Sequence, residues 1–146
     1  MFDIPVKLIG RKGVSLPKRA TEGSAGFDLQ AATDAPVTIL PGKLVSIPTG
    51  IAVKLPENSV GLLFGRSGLG VKHGITLSNS VGVIDSDYTG EIIVGLCNVS
   101  DEPYTVMPLD RIAQLTVMSV LPVNPVEVES LAQTERGNGG FGSTGR

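Results

Sequence analysis

The sequence predicts an all-β fold, a single-domain jelly-roll-like barrel or sandwich, and three observations carry that expectation. Short runs rich in β-branched residues recur between proline and glycine punctuation. Ten prolines spread along 146 residues leave no window for a long helix. A composition of 41% hydrophobic and 18% charged residues is that of a chain that buries a core.

In chain order, strands are expected over 37–39, 44–47, 51–55, 61–64, 92–97, 111–120 and 126–128. Ile51-Ala52-Val53-Lys54-Leu55 and Val126-Glu127-Val128-Glu129 alternate apolar and mixed positions, the pattern of a strand with one wet face. The run from Ile92 to Cys97 does not alternate, and an unbroken apolar strand implies burial on both faces. Two readings stand side by side for it, a subunit interface or a central strand inside a sandwich. Residues 67–71 or 131–134 have room for one helical turn. The glycine-rich stretch from Arg136 onward holds too little apolar surface to repay its ordering, so the expected division is a β-barrel over 1–131 and a flexible C-terminal flap over 132–146.

The bulk numbers exclude several function classes. A net charge of -2 and a pI near 5.3 argue against stable nucleic-acid binding. The one basic cluster, Lys7, Arg11, Lys12, Lys18 and Arg19, has no interleaved aromatic residue to stack on bases and reads as a solvated surface. The single Cys97 forms no intrachain disulfide, which suits a reducing compartment. With no apolar leader or spanning stretch, no membrane association and a cytoplasmic location are expected.

Three familiar chemistries also fail. Gly137-Asn-Gly139-Gly-Phe-Gly142 has the letters of a dinucleotide fingerprint but no βαβ unit around it. Neither glycine-rich segment carries the lysine of a phosphate loop. His73 is the only histidine, so a zinc site would need ligands that one His and one distant Cys hardly supply. A Ser-His-Asp triad would also have to use it, and Ser67 lies outside a G-x-S-x-G elbow.

What remains is five segments that combine glycine with charge or hydroxyl: AGFDL from Ala25, GRSGLG from Gly65, GVIDSDYTG from Gly82, DRIAQL from Asp110, and RGNGGFGSTG from Arg136. Glycines let backbone N–H groups approach an anion, and arginines and hydroxyls donate to phosphate oxygens, so the set suggests a polyphosphate ligand. In this order the five segments resemble those of the trimeric deoxyuridine triphosphatase family, and the likeness covers almost the whole chain. Gly65 departs from the Pro or Ala common before Arg-Ser-Gly, and Thr89 from the usual Arg or Gln. Neither change removes a catalytic group.

The resemblance implies a dUTPase-like barrel that hydrolyses dUTP to dUMP and pyrophosphate with Mg2+, serving dUMP synthesis and keeping uracil out of DNA. It assigns Asp85 as the base that activates water for attack on the α-phosphorus. Without the other motifs, Asp85 and Asp87 read as the start of a turn. The resemblance sets Tyr88 against the deoxyribose, and Asn79 with the backbone at Gly82 and Val83 on the uracil edge. Arg66, Ser67 and Gly68 would bind the α- and β-phosphates, and Gln114 would add a phosphate contact. Asp28 would help hold the magnesium through water, with a surface turn acid as the alternative. Arg111 is either a further site residue or a structural ion-pair partner. From the tail, Arg136, Ser143 and Thr144 with Gly142 would clamp the γ-phosphate while Phe141 covers the uracil, closing as a lid. The family's sites are shared between subunits of a homotrimer.

Two other functions remain open at this level. A dCTP deaminase would use a related fold for amine hydrolysis on the base. A nucleotide-gated binding protein would use the pocket to sense dUTP and a surface to engage a regulatory partner.

Overall fold

The computed structural model describes residues 3–10 and 13–140. Its elements are β1 (Val6–Leu8), β2 (Phe27–Gln30), β3 (Val37–Ile39), β4 (Leu44–Val53), β5 (Ser59–Gly65), α1 (Ser67–His73), β6 (Ile75–Leu77), β7 (Gly82–Ile84), β8 (Glu91–Asn98), β9 (Tyr104–Val106) and β10 (Arg111–Ser119). The strands form two four-stranded sheets, ordered β1-β4-β8-β6 and β2-β10-β5-β7, and a ribbon β3-β9. Every pairing is antiparallel. The fold is all-β, as the sequence predicts.

One core joins the three layers. Ile47, Val94 and Leu96 enter it from the first sheet, Leu29, Leu63 and Leu115 from the second, and Ile39 and Val106 from the ribbon. Along β10, Leu115 and Ala113 point inward while Gln114 points out, the two-residue period of a strand covered on one side. The buried Asn98 amide ties the layers together, donating to the carbonyls of Ile39 at 2.9 Å and Glu102 at 2.7 Å. A polar group so buried requires such partners.

Three expectations need correction. The run 44–47 and the first three residues of the run 51–55 are one strand, β4, because Pro48-Thr49-Gly50 makes a bulge rather than a turn, and the strand ends at Val53. Gly50 takes φ +69° there, and a Cβ on it would stand 2.9 Å from Val14 Cγ2. The unbroken apolar run of β8 is not a central strand buried on both faces within the chain: Ile92, Val94 and Leu96 face the core, whereas Ile93 is 47% exposed on the other, so of the two readings only the subunit interface stands. Residues 126–128 form no strand, since no free edge of the same chain pairs with them, and Val126 and Val128 stand in solvent. Of the two places with room for a helical turn, the first holds it, as α1, and 131–134 is not helical. Gly74 ends α1 with φ +63°, its N–H donating to the Gly70 carbonyl.

Among the described residues, no helix is long and apolar enough to cross a membrane.

Candidate active site

The site residues fall into two clusters on the sheet β2-β10-β5-β7. The first lies where β5 hands over to α1. Gln114 of β10 stands directly across from Asp28 of β2 on one side and from Phe64 of β5 on the other. The three side chains therefore share the face away from the core. Arg66, in extended conformation at the start of α1, reaches back to Asp28, its Nε donating to Oδ1 at 3.0 Å. Arg111 opens β10 beside a bulge, and its Nη1 donates to the other oxygen, Oδ2, also at 3.0 Å. Arg66 adds a long bond of 3.4 Å to the Arg111 carbonyl. Ser67 and Gly68 follow in the first turn of α1, both exposed.

Arg66 also lines a concavity of about 180 Å3, together with Tyr104, Asp110, Arg111 and Leu69. Tyr104 packs its ring on His73, centroids 4.8 Å apart. Partial burial pushes the Tyr104 phenol above its ordinary pKa of 10.0, the Asp110 carboxylate adds to that rise, and the Arg66 guanidinium opposes it. The sequence carried no motif for Tyr104, a lone aromatic residue in a short apolar run.

The second cluster surrounds β7. Asn79, Gly82 and Val83 line a concavity of about 170 Å3 whose floor includes Leu63 and Gly95. Glycine is needed at Gly82, where a Cβ would sit 2.9 Å from Leu63 Cβ, whereas one on Gly95 would only require the Ser78 hydroxyl to rotate away. Asp85 and Tyr88 line an adjoining concavity of about 200 Å3 that shares Val83, Ile84 and Ile93 with the first. Asp85 and Tyr88 begin and end a tight turn, closed by a 3.1 Å bond from the Tyr88 N–H to the Asp85 carbonyl. The Tyr88 hydroxyl donates to the Glu91 carbonyl at 2.9 Å, and Gly90 leaves the space its ring occupies. Lys54, an outward residue just past β4, also fixes the turn by donating to the Ser86 carbonyl at 3.0 Å. Nothing in the sequence marked Lys54 for that part.

The two clusters do not converge on one chain. The register pairs Gly61 with Ile84 and Leu63 with Gly82, which sets Asp85 level with Val60. At about 3.3 Å per residue, the six residues from Val60 to Arg66 span about 20 Å. Asp85 and Arg66 thus lie at opposite ends of β5.

Arg136 joins neither cluster: its Nε donates to the Gly139 carbonyl at 2.9 Å within its own turn. Phe141, Gly142, Ser143 and Thr144 lie outside the described residues. Among the described residues, no group of three or more His, Cys, Asp and Glu side chains gathers that could hold a metal ion. Asp28 has a guanidinium on each oxygen, but a carboxylate accepts more than one hydrogen bond per oxygen, so it fits an acceptor for a metal-bound water rather than a direct ligand.

The family model described as dUTPase matches residues 12–145. The chain belongs to the dUTPase family. It is similar to the deoxyuridine 5'-triphosphate nucleotidohydrolase of Desulfitobacterium hafniense, 51% identical over 135 residues that cover 92% of this chain and 89% of the relative. It resembles the enzyme of the same name from Actinobacillus pleuropneumoniae, 49% identical over 150 residues covering 100% and 99%. Among solved structures it resembles the dUTPase of Staphylococcus bacteriophage 80alpha with dUPNHPP, at a TM-score of 0.90 and 28% identity over the whole of both chains. A point mutant of the phage phi11 dUTPase, described with a coordinated structural Mg(II) ion, shares the fold at a TM-score of 0.79, with 24% identity over 88% of this chain and 98% of that one.

Proposed function

We propose that this dUTPase hydrolyses dUTP to dUMP and pyrophosphate, with Asp85 activating the attacking water. The observation that carries the reading is the continuity of the two concavities around β7. Asn79, Gly82 and Val83 line one, Asp85 and Tyr88 line the next, and Val83 and Ile84 are common to both. A pyrimidine in the first would pair its edge with Asn79 and the strand backbone. Its sugar would then lie toward Tyr88 and its α-phosphate toward Asp85. The Tyr88 ring, held by the Glu91 carbonyl, would leave no room for a 2'-hydroxyl. Groups of the hairpin left unpaired by a cytosine edge would reject it.

Asp85 accepts a proton from water as the water oxygen bonds to the α-phosphorus and the bridge to the β-phosphate breaks, releasing pyrophosphate. Arg66, Ser67, Gly68 and Gln114 bind the phosphates and hold the chain of the substrate in line for that attack. Asp28 would help hold a hydrated Mg2+, which when bound would supply charge neutralisation to the triphosphate. Residues 132–146 act as the flap, with Arg136, Gly142, Ser143 and Thr144 on the γ-phosphate and Phe141 over the uracil. The single Cys97 suits work in the cytoplasm.

Since Asp85 and Arg66 lie at opposite ends of β5, a complete site requires Asp85 of one copy and Arg66 of another, which supports a homotrimer with shared sites. Exposed Ile93 on β8 and the exposed Val123, Val126 and Leu131 beyond β10 favour the same reading, because they call for cover.

The test is pyrophosphate release from dUTP, dCTP, dTTP and UTP in Mg2+, for the wild type and Asp85→Asn. Turnover of dUTP alone, falling by about two orders of magnitude or more in the Asn variant, is expected. Binding of dUTP without cleavage would favour a nucleotide-gated binding protein, and ammonia from dCTP would identify a deaminase.

A further inference from the structure

We infer that Asp28 is the positioning residue of a two-arginine clamp, presenting Arg66 and Arg111 as a preset pair to the triphosphate, and that Arg111 itself binds phosphate. The inference rests on the dUTPase reading of this site and adds to it a donor and the group that aims it. Its basis is the symmetry of the Asp28 contacts, one arginine on each carboxylate oxygen, both at 3.0 Å.

The surroundings make this more than a surface ion pair. Asp28 is only 18% exposed and is fixed by strand pairing directly across from Gln114, so its carboxylate has little freedom. Arg66 is likewise 24% exposed, and its planar fork is oriented by the Nε contact and the Arg111 carbonyl. Arg111, by contrast, is 57% exposed and spends one nitrogen on Asp28. A guanidinium carries five N–H donors, and the one bond to Asp28 leaves most of those on Arg111 for an anion.

One carboxylate between two guanidiniums leaves those three groups at a net +1, favourable for a polyphosphate, while Asp110 lines the neighbouring concavity with one carboxylate oxygen accepting from the Met107 N–H. Long arginine side chains lose much rotamer freedom on binding, and a carboxylate that has already ordered both lowers that cost. Without Asp28 the two cations would repel one another and spread. This role needs no metal, whereas a water-mediated contact to magnesium does, so metal-free binding separates the two.

The experiment is calorimetric titration of the full-length protein with the non-hydrolysable α,β-imido analogue of dUTP, in chelator and again in Mg2+. Wild type, Asp28→Asn, Arg111→Gln and the double variant are compared, with dUMP as the short ligand. The clamp requires each single variant to weaken metal-free analogue binding by about tenfold, the double variant to be little worse than either, and dUMP affinity to change far less. Unchanged metal-free affinity of Asp28→Asn, with loss confined to the Mg2+ titration, would overturn the clamp and leave Asp28 as a partner of the metal alone. Unchanged affinity of Arg111→Gln would equally overturn it, and this variant carries the test if Asp28→Asn fails to fold. A wild type that ignores the analogue would instead overturn the dUTPase reading, and the clamp with it.

Discussion

At the scale of single residues, Tyr104 shows how the phosphate end of the site imprints itself on a group that has no part in the chemistry. Its phenol is raised above 10.0 by partial burial first and by Asp110 second, against the pull of Arg66. A folded-state pKa above the unfolded value means that the unfolded chain releases this proton first as pH rises. Tyr104 therefore costs no stability below pH 10.0, and its contribution is lost as pH climbs through that value toward the folded pKa. Chemical denaturation at about pH 9, 10 and 11 should show the wild type falling more steeply than Tyr104→Phe, with the two parallel below about pH 9. Equal slopes throughout would refute the link. The expectation of a polyphosphate ligand had a local signal, since an arginine, a serine and glycines around one turn leave few chemistries, whereas each residue's individual role came from the resemblance to the family. Tyr104 and Lys54 were not legible, because a phenol or an ammonium that supports a neighbour leaves no spacing signal in the chain.

At the scale of elements, β7 is short, three residues, and its place depends on the glycine that begins it. A methyl group on Gly82 would meet Leu63 Cβ at 2.9 Å, and a Cβ cannot swing away as a chain end can. Gly82→Ala should therefore push β7 from β5 and cost about 1–3 kcal/mol, read as a shift in the denaturation midpoint. The same displacement would move Val83 and Asp85, so dUTP turnover should fall with it. The elements also mark where sequence reading succeeded and where it stopped. Runs of β-branched residues between proline and glycine located β4 and β10, a purely local signal, although the wet face expected within 51–55 is absent at Ala52, which is buried with Ile51 and Val53. Pro48-Thr49-Gly50 was read as a break because proline and glycine serve a turn and a bulge equally. Only the pairing of Leu44 with Cys97 at one end and Ala52 with Glu91 at the other distinguishes the two. The alternating Val126 and Val128 form no strand for the complementary reason: periodicity describes a face to be covered and says nothing of what covers it.

At the scale of the whole molecule, the separation of Asp85 from Arg66 along β5 makes a demand that no side-chain movement meets. Rotamer changes move a side-chain tip by a few ångströms, whereas the two residues stand about 20 Å apart along a paired strand. A shared site then has a counting consequence. In a ring of three, let each site draw Arg66 from one copy and Asp85 from the next. Asp85→Asn and Arg66→Gln proteins are each inactive alone, yet each still carries the half that the other lacks. Any mixed ring contains one position where an Asp85→Asn copy is followed by an Arg66→Gln copy, and that site is intact. Random equal mixing makes about three quarters of rings mixed, each with one intact site of three, so about a quarter of wild-type activity should return. Co-refolding the two variants and measuring pyrophosphate release against each variant refolded alone tests this directly. No recovery from rings that demonstrably contain both variants would mean that Arg66 and Asp85 serve the same site from the same chain, and the distance along β5 would then have to be closed by a rearrangement of β7 itself.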